Sequence, residues 1–132
     1  QHVLLNNVVE GNEAGIVLLG TQNGTVRGNR ATSNSRAGLH VEGTAGYQIV
    51  ENEVGENGAG VFLHKSSTNE ILKNRVCGNG RTDFYVYDST NGGSGNTCDQ
   101  PGAWNDQGTE GCSRSCSAQP GVTVYIPLIM KN

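Results

Sequence analysis

Three closely spaced glutamates, Glu51, Glu53 and Glu56, are the side chains best suited to acid–base chemistry in this sequence. Hydrolysis of a glycosidic bond needs two carboxyl groups roughly 5 to 10 Å apart across a groove. Glu51 with Glu53, or Glu53 with Glu56, could meet that distance, but so could many pairs of glutamates in solvent-exposed turns. The pattern therefore does not predict an enzyme.

Three histidines and one acidic stretch are the candidate metal ligands. The histidines are His2, His40 and His64, and the acidic stretch contains Asn105, Asp106 and Glu110. The histidines occupy different positions of the repeat described below, so we do not expect a copper or zinc site. The acidic stretch could offer oxygen ligands to Ca²⁺, but its spacing does not match an EF-hand loop. We expect no metal ion and no cofactor.

Four cysteines lie in the C-terminal half, at Cys77, Cys98, Cys112 and Cys116. An even number of cysteines at the irregular end of a small chain predicts two disulfides and an oxidising compartment. A zinc half-site is the competing hypothesis, but the spacing matches no zinc-finger pattern. Because Cys77 and Cys98 fall at nearly equivalent points of adjacent repeats, we favour that pair, which leaves Cys112 with Cys116. The crossed pairings remain open.

A repeat of about 22 residues must position all of these side chains. Residues 15–34, 38–57 and 60–79 align as three copies, and two asparagine columns keep step with them. The first column is Asn7, Asn29, Asn52, Asn74 and Asn96, and the second is Asn12, Asn34, Asn57 and Asn79. A period of this length fits a coil that winds once and returns about 4.8 Å further along an axis.

Within each copy, apolar residues alternate with polar ones, which predicts strands, and Gly-Asn and Asn-Gly pairs predict turns. The predicted inward positions are Ile16, Leu39 and Val61; Leu18, Val41 and Leu63; Leu4, Val26, Ile49 and Ile71; and Val9, Ala31, Val54 and Val76. Stacked coils bring like residues into register, so these columns would form one continuous core. We predict an all-β fold of four to five coils, each with two or three strands.

The asparagine columns have a physical reason to exist at the corners of such coils. Asparagine tolerates a left-handed backbone conformation, and its amide can both donate to and accept from the asparagine of the next coil. Each such bond contributes roughly 1 kcal/mol net. We therefore predict two structural asparagine ladders with no catalytic role.

The copies GIVLL…TVRGN, GLHVE…QIVEN and GVFLH…EILKN resemble the right-handed parallel β-helix repeat of pectate-lyase-like enzymes and of many secreted surface proteins. The resemblance covers residues 1–98 and implies the fold. It implies little about activity, because the scaffold carries lyases, hydrolases, epimerases, adhesins and structural proteins. Lyases of this fold use acidic residues that hold Ca²⁺ beside an arginine or lysine base. The arginines of the coils do not pair with a cluster of carboxylates in this sequence.

Composition excludes two classes of partner. The chain has 132 residues, a formal net charge of −3 and no basic cluster, so we do not expect it to bind nucleic acid. No apolar run approaches the 18 to 20 residues of a membrane span. Residues 1–14 supply only the second half of a repeat, which leads us to expect an open strand edge that could pair with another chain.

Two outward columns are unusually apolar and aromatic for a solvent-facing surface. One contains Val17, His40, Phe62 and Tyr85, and its neighbour contains Leu19, Glu42, His64 and Tyr87. We expect another segment to cover them, and the alternative is a surface on which sugars stack. Trp104 is expected to plug the end of the core. Asn23 begins an Asn-Gly-Thr sequon at a turn and is a possible glycosylation site.

The chain divides into β-helix coils (1–98), an irregular disulfide-rich cap (99–119) and an apolar tail (120–132). The tail is too short to span a bilayer, and Pro127 favours an edge strand or an added strand. Its YIPLIMK sequence resembles the ends of secreted proteins of certain filamentous bacteria, which implies sorting or surface attachment. The residues predicted to mediate assembly are Val122, Val124, Tyr125, Ile126, Leu128 and Ile129.

These features predict a secreted, cell-surface-associated structural subunit rather than an enzyme. Coils would stack head to tail, and the tail would insert into the next copy as an added strand, giving a homopolymeric filament. The alternative prediction is a carbohydrate-binding or carbohydrate-processing β-helix that contacts a surface polysaccharide through its outward aromatic residues.

Overall fold

The fold was analysed in a computed structural model that describes residues 1–117. Within that range, thirteen strands and no helix form three parallel sheets. Sheet A contains β1 (His2–Leu5), β4 (Gln22–Arg27), β7 (Ala45–Val50), β10 (Ser67–Leu72) and β13 (Thr90–Ser94). Sheet B contains β2 (Val8–Glu10), β5 (Arg30–Thr32), β8 (Glu53–Gly55) and β11 (Arg75–Cys77). Sheet C contains β3 (Ile16–Leu19), β6 (Ala37–Glu42), β9 (Ala59–His64) and β12 (Thr82–Tyr87).

The chain visits the sheets in the order A, B, C and then begins the next coil, so every strand pairs with the strand one coil away. The fold is therefore a parallel β-helix of about four turns, as the repeat predicts, with three strands in each full coil. Across residues 1–117, no helix is long and apolar enough to cross a membrane.

The core is a set of stacked aliphatic columns, and the predicted inward residues occupy it. Val26, Ile49 and Ile71 lie in register in sheet A and are fully buried. Leu39, Val61 and Phe84 do the same in sheet C. Each column gains its burial from the coil above and the coil below, so no single repeat could form this core alone.

Both predicted asparagine ladders are present. In the first, the side-chain oxygen of Asn52 accepts from the backbone N–H of Asn29 at 2.9 Å and from its side-chain amide at 3.0 Å. The amide of Asn52 in turn donates to the side-chain oxygen of Asn74 and to the carbonyl of Val26. The second ladder repeats this arrangement through Asn34, Asn57 and Asn79. Buried corners of the coils are satisfied in this way without water.

The reason given for asparagine at these corners was wrong in one respect. The left-handed backbone conformation lies one residue earlier, for example at Glu51 and Lys73 (φ 55° and 54°) before Asn52 and Asn74. Asparagine is required there for its amide rather than for its backbone freedom, because the amide must donate and accept at once.

Two shorter ladders lie at other corners and were not predicted. Asn69 and Asn91 form one, with the Asn69 amide donating to the Asn91 side chain at 2.9 Å. Thr44, Ser66 and Ser89 form the other, in which each backbone N–H donates to the hydroxyl of the next coil. The asparagine pair is hard to find in the sequence because the pairing of β10 is irregular near Ser67. The other ladder consists of hydroxyl side chains, so a search for repeated asparagines does not detect it.

Both long ladders end on a buried aspartate. Asn79 donates through its amide to Asp83 at 2.9 Å, and Asn96 donates to Asp106 at 2.7 Å. A carboxylate accepts hydrogen bonds and donates none, so it closes a series that would otherwise end on an unpaired amide. Asp83 also accepts from the backbone N–H groups of Asp99 and Gln100, which attaches the start of the cap to the last coil.

The cap covers the C-terminal end of the described core. Trp104 is 3% exposed, stacks on Phe84 with ring centroids 5.2 Å apart, and donates from Nε1 to Asp106. This confirms that Trp104 closes the end of the apolar column. Asp106 is therefore part of the cap.

Both disulfides are present, but the favoured pairing was wrong. The bonds are Cys77–Cys116 and Cys98–Cys112. Thr97 pairs with Arg75, so Cys98 occupies the inward position of Val76 and not the outward position of Cys77. Neighbouring residues of a strand face opposite sides, so Cys77 and Cys98 point away from each other.

The predicted assembly residues of the tail, from Val122 to Ile129, lie outside the described residues. Strand donation through this segment stays a prediction.

Candidate binding face and groove

The outer face of sheet C carries both predicted aromatic columns, and they are in register. Pairing of β6, β9 and β12 places His40 beside Phe62 and Phe62 beside Tyr85, and it aligns Glu42, His64 and Tyr87 in the same way. Val17 and Leu19 continue the two columns on β3. We call this surface, made of the eight residues of the two columns, the aromatic face.

The rings of the first column cover each other. Phe62 and Tyr85 are stacked with centroids 5.0 Å apart and planes 6° apart, and His40 lies 4.7 Å from Phe62 on the other side. Phe62 therefore presents its edge to solvent. Tyr85 lies on β12, the last strand of sheet C, and is 45% exposed. Its outer ring surface is available for stacking on a ligand.

Described residues leave the aromatic face open, since Tyr87 is 58% and Leu19 is 56% exposed. The expected covering segment is therefore not found within residues 1–117. Exposed aromatic and aliphatic side chains, here at both ends of the two columns, are typical of binding surfaces.

A carboxylate between two histidines lies at the centre of the face. Glu42 Oε1 is 2.7 Å from His64 Nδ1, and Glu42 Oε2 is 3.6 Å from His40 Nε2. The hydrogen bond from His64 lowers the pKa of Glu42, partial desolvation opposes this effect, and the Coulombic interaction with His40 adds to the lowering. A proton on His64 Nδ1 can donate to the Glu42 carboxylate, and this bond holds the ring of His64 in a fixed orientation.

A groove of about 550 Å³ runs along one side of the aromatic face. Its walls and floor are formed by Glu13, Ala14, Ser35, Arg36, Ala37, His40, Gly58, Ala59, Phe62 and Arg81. We call it the arginine groove. His40 and Phe62 form one wall, alanines of three successive coils form the floor, and arginines stand on the opposite side.

The groove was not predicted from the sequence, although the lengths of the turns indicate it. The turns that enter β6 and β12, residues 33–36 and 78–81, each contain one residue more than the turns 11–13 and 56–58. Both longer turns end in arginine. Turns of alternating length at one corner of a β-helix indicate that the longer turns border a groove.

The glutamates considered for catalysis are engaged separately. Glu51 forms an ion pair with Arg27 at 3.0 Å, and Glu53 lies 3.9 Å from Arg30. Glu53 and Glu56 line a separate groove of about 420 Å³ beside the Cys77–Cys116 disulfide. Exposed pairs of this kind contribute little to stability and do not by themselves define a reaction. Asn23 is exposed on β4, and its glycosylation stays a prediction.

The stacked parallel sheets and the disulfide-linked cap place this protein in the class of β-helix solenoids. The chain belongs to a family described as "Periplasmic copper-binding protein (NosD)", whose profile matches residues 1–97. This is a family of right-handed parallel β-helix proteins, and it agrees with the resemblance that the repeats carry. No curated protein and no solved structure was found to match the chain.

Family and disulfides agree on location. The family is described as periplasmic, and disulfides form in oxidising compartments outside the cytoplasm. The protein therefore belongs outside the cytoplasm.

Proposed function

We propose that this protein binds a glycan along the aromatic face of its β-helix, without turning it over. The observation that carries the proposal is the in-register column of His40, Phe62 and Tyr85, which ends in the open ring surface of Tyr85. Aromatic rings beside fixed polar groups are what a saccharide requires, because a sugar ring has an apolar surface and a rim of hydroxyls. Glu42 and His64 supply polar groups whose orientation is already set.

The size of the face favours an extended glycan over a protein partner. Four strands about 4.8 Å apart, with at most six residues each, cover about 300 Å². A stable protein interface buries about 800 Å² on each partner. A protein would therefore need much more surface than this face offers, whereas a saccharide of a few units would fit it.

Copper is named in the description of the family, but the described residues do not fit a copper site. Within residues 1–117, no group of three or more His, Cys, Asp or Glu side chains is placed to hold a metal ion. All four cysteines are in disulfides, and His64 Nδ1 is engaged by Glu42. Copper normally takes several nitrogen or sulfur ligands at one point. Copper therefore has no part in the proposed function.

A glycan microarray tests the proposal, followed by calorimetry with an oligosaccharide that binds. Replacing Tyr85 and Tyr87 together by alanine is expected to weaken binding at least tenfold. The control replaces Gln48 and Glu70 together by alanine, because these two exposed residues are neighbours on sheet A, and it is expected to leave binding unchanged. Absence of binding to every glycan, or an equal loss in the control, would overturn the proposal.

Assembly at the cell surface is a second proposal. Val3, Leu5 and Val8 are exposed apolar side chains of the first coil, which favours contact with another molecule. The cap limits the ways in which two copies could assemble. Because Trp104 and Asp106 close the C-terminal end of the core, a second copy could not extend the core there without displacing the cap. Addition of a strand from residues 121–132 avoids that conflict.

Negative-stain microscopy and analytical ultracentrifugation of the full chain test this second proposal. Fibres or larger oligomers are expected, and deletion of residues 121–132 is expected to abolish them. A monomeric full chain, or fibres that persist after the deletion, would eliminate strand donation.

A further inference from the structure

We propose that the arginine groove selects glycans that carry an anionic group, and that Arg81 and Arg36 bind that group. This proposal rests on the proposed glycan binding and names the chemical class of the ligand. The shared chemistry is that of a carboxylate, sulfate or phosphate ester on a sugar.

The first observation is that two arginines occupy one register position. Ala37, Ala59 and Thr82 are in register in sheet C, so the residues that directly precede them, Arg36, Gly58 and Arg81, enter the sheet at corresponding points of three successive coils. Two coils separate the arginine backbones by about 10 Å. Each arginine side chain is long enough to reach halfway across that distance.

The second observation is the residue between them. Gly58 has no side chain, and a Cβ at this position would overlap the carbonyl oxygen of Ser35. The backbone of the preceding coil fills the place that a Cβ would take, so this position requires glycine, and Gly58 puts no side chain between the two arginines. A larger residue would collide with the carbonyl oxygens of Ser35 and Arg36.

The third observation is the length of the turns. Ser35 and Gly80 are the additional residues of the two longer turns, and Arg36 and Arg81 follow them directly. The same one-residue insertion therefore recurs two coils apart, and an exposed arginine follows it each time. A single exposed arginine would mean little, but the repeated insertion places a matched pair on one wall.

Charge in the groove also favours an anion. Among residues 1–117, the side chain of Arg81 forms no ion pair and no hydrogen bond. Arg36 is paired with Glu13 at 2.9 Å, but both side chains are more than 70% exposed. Such a pair contributes at most about 1 kcal/mol, so an incoming anion can compete for Arg36. Glu13 lies one coil beyond Arg36, away from Gly58 and Arg81, so it does not occupy the space between the arginines.

The wall opposite the arginines suits a sugar. Phe62 and His40 present ring edges to the groove, and Ala37 and Ala59 form a flat floor. A guanidinium group binds carboxylates, sulfates and phosphates through two parallel hydrogen bonds. An anionic sugar unit could therefore place its charge over Gly58 while its chain continues along the aromatic face towards Tyr85.

The test compares neutral and charged forms of the same backbones on one array at about 150 mM salt, where weak non-specific attraction is screened. A suitable set is cellulose oligosaccharides, which are neutral, with their C6-carboxylate, C6-sulfate and C6-phosphate forms. We expect the wild-type protein to prefer charged forms by about tenfold or more. The arms with carboxylate, sulfate and phosphorylated sugars distinguish the sources of the charge.

Variants locate the site. Arg81→Gln is expected to reduce binding of the charged forms about tenfold and to leave binding of neutral forms unchanged, and Arg36→Gln to act in the same direction. Arg30→Gln removes the same charge from the exposed surface of sheet B and is the matched control, with no expected effect. Circular dichroism and thermal unfolding establish that each variant is folded.

Four outcomes would overturn the inference. Equal affinity for neutral and charged forms would leave glycan binding intact and remove anion selection. Equal losses of binding to the charged glycans in Arg81→Gln and Arg30→Gln would show that the overall charge of the protein matters and that the groove is not a defined site. Equal binding of polyglutamate would show that the groove recognises anionic chains and not sugars. Failure to bind any glycan would remove the proposed function together with this inference.

Discussion

Asn96 donates to both oxygens of Asp106, from its side-chain amide to Oδ1 at 2.7 Å and from its backbone N–H to Oδ2 at 3.0 Å. The same carboxylate accepts from Trp104 Nε1 and from the backbone and hydroxyl of Ser113. The Asp106 side chain thus ends the longer asparagine ladder and orients the tryptophan that closes the core. Because Asp106 lies between Cys98 and Cys112, its bonds also attach the loop that this disulfide closes to the last coil.

Replacement of Asp106 by asparagine is expected to destabilise the protein by about 3 kcal/mol, because an amide would point a donor at groups that are themselves donors. Burial alone would raise the pKa of Asp106, but the hydrogen bonds from Asn96, Ser113 and Trp104 outweigh it and lower the pKa below its ordinary value of 3.8. The carboxylate therefore stabilises the fold above its unfolded-state pKa, and this contribution is lost as pH falls through the lower folded-state value.

Denaturant unfolding of wild type and Asp106→Asn at several pH values measures this effect. The difference in unfolding free energy is expected to be constant above about pH 5 and to shrink as the pH falls below 3.8. A difference that is independent of pH between 5 and 2.5 would contradict the assignment of the ionised carboxylate to the end of the ladder.

A central rung of a ladder should matter far more than its first rung. Asn57→Ala removes an acceptor of two bonds and a donor of two more, and leaves the buried amide of Asn34 without its partner in the next coil. We expect a loss of about 3 kcal/mol. Asn12→Ala is the matched control in the same column, because the side chain of Asn12 makes one exposed bond to Glu10. Its expected cost is below about 1 kcal/mol, and equal costs for the two variants would show that the ladder is not a source of stability.

Mass spectrometry of peptides cut under non-reducing conditions is expected to recover Cys77 linked to Cys116 and Cys98 linked to Cys112. Recovery of a Cys77–Cys98 peptide would disprove the register of the last coil.

Replacing Cys77 and Cys116 by alanine is expected to lower the free energy of unfolding by about 4 kcal/mol. Replacing Cys98 and Cys112 is expected to lower it by about 3 kcal/mol, because that bond closes a shorter loop, and to remove a buried sulfur as well.

Phe62 and Tyr85 are expected to respond differently to replacement by alanine. Phe62 has aromatic neighbours on both sides, so Phe62→Ala should lower the free energy of unfolding by about 2 kcal/mol. Tyr85 has one stacked neighbour and is 45% exposed, so Tyr85→Ala should cost about 1 kcal/mol or less. Thermal unfolding measures both. A larger effect at Tyr85 would mean that it packs against groups beyond Phe62.

Sequence reasoning recovered the features that repeat with a fixed period. The columns of Ile49 and Leu63, the ladders through Asn52 and Asn57, and the aromatic face all follow from stacking one coil on the next. It failed where a position depends on a shift of a single residue. Cys98 aligns with Val76 and not with Cys77, and that shift reverses the side of the strand on which the sulfur lies. The arginine groove was missed for the same reason, because it arises from residues inserted at Ser35 and Gly80 rather than from the repeat itself.

The Cys77–Cys116 bond joins the last described stretch of the chain directly to β11, a strand of the fourth coil. A pulling force applied to the chain beyond Cys116 would thus enter the body of the solenoid through a covalent link and would bypass the loops of the cap. The cap would stay seated on Phe84 under tension, and the load would fall on strands that are bonded to their neighbours along their length.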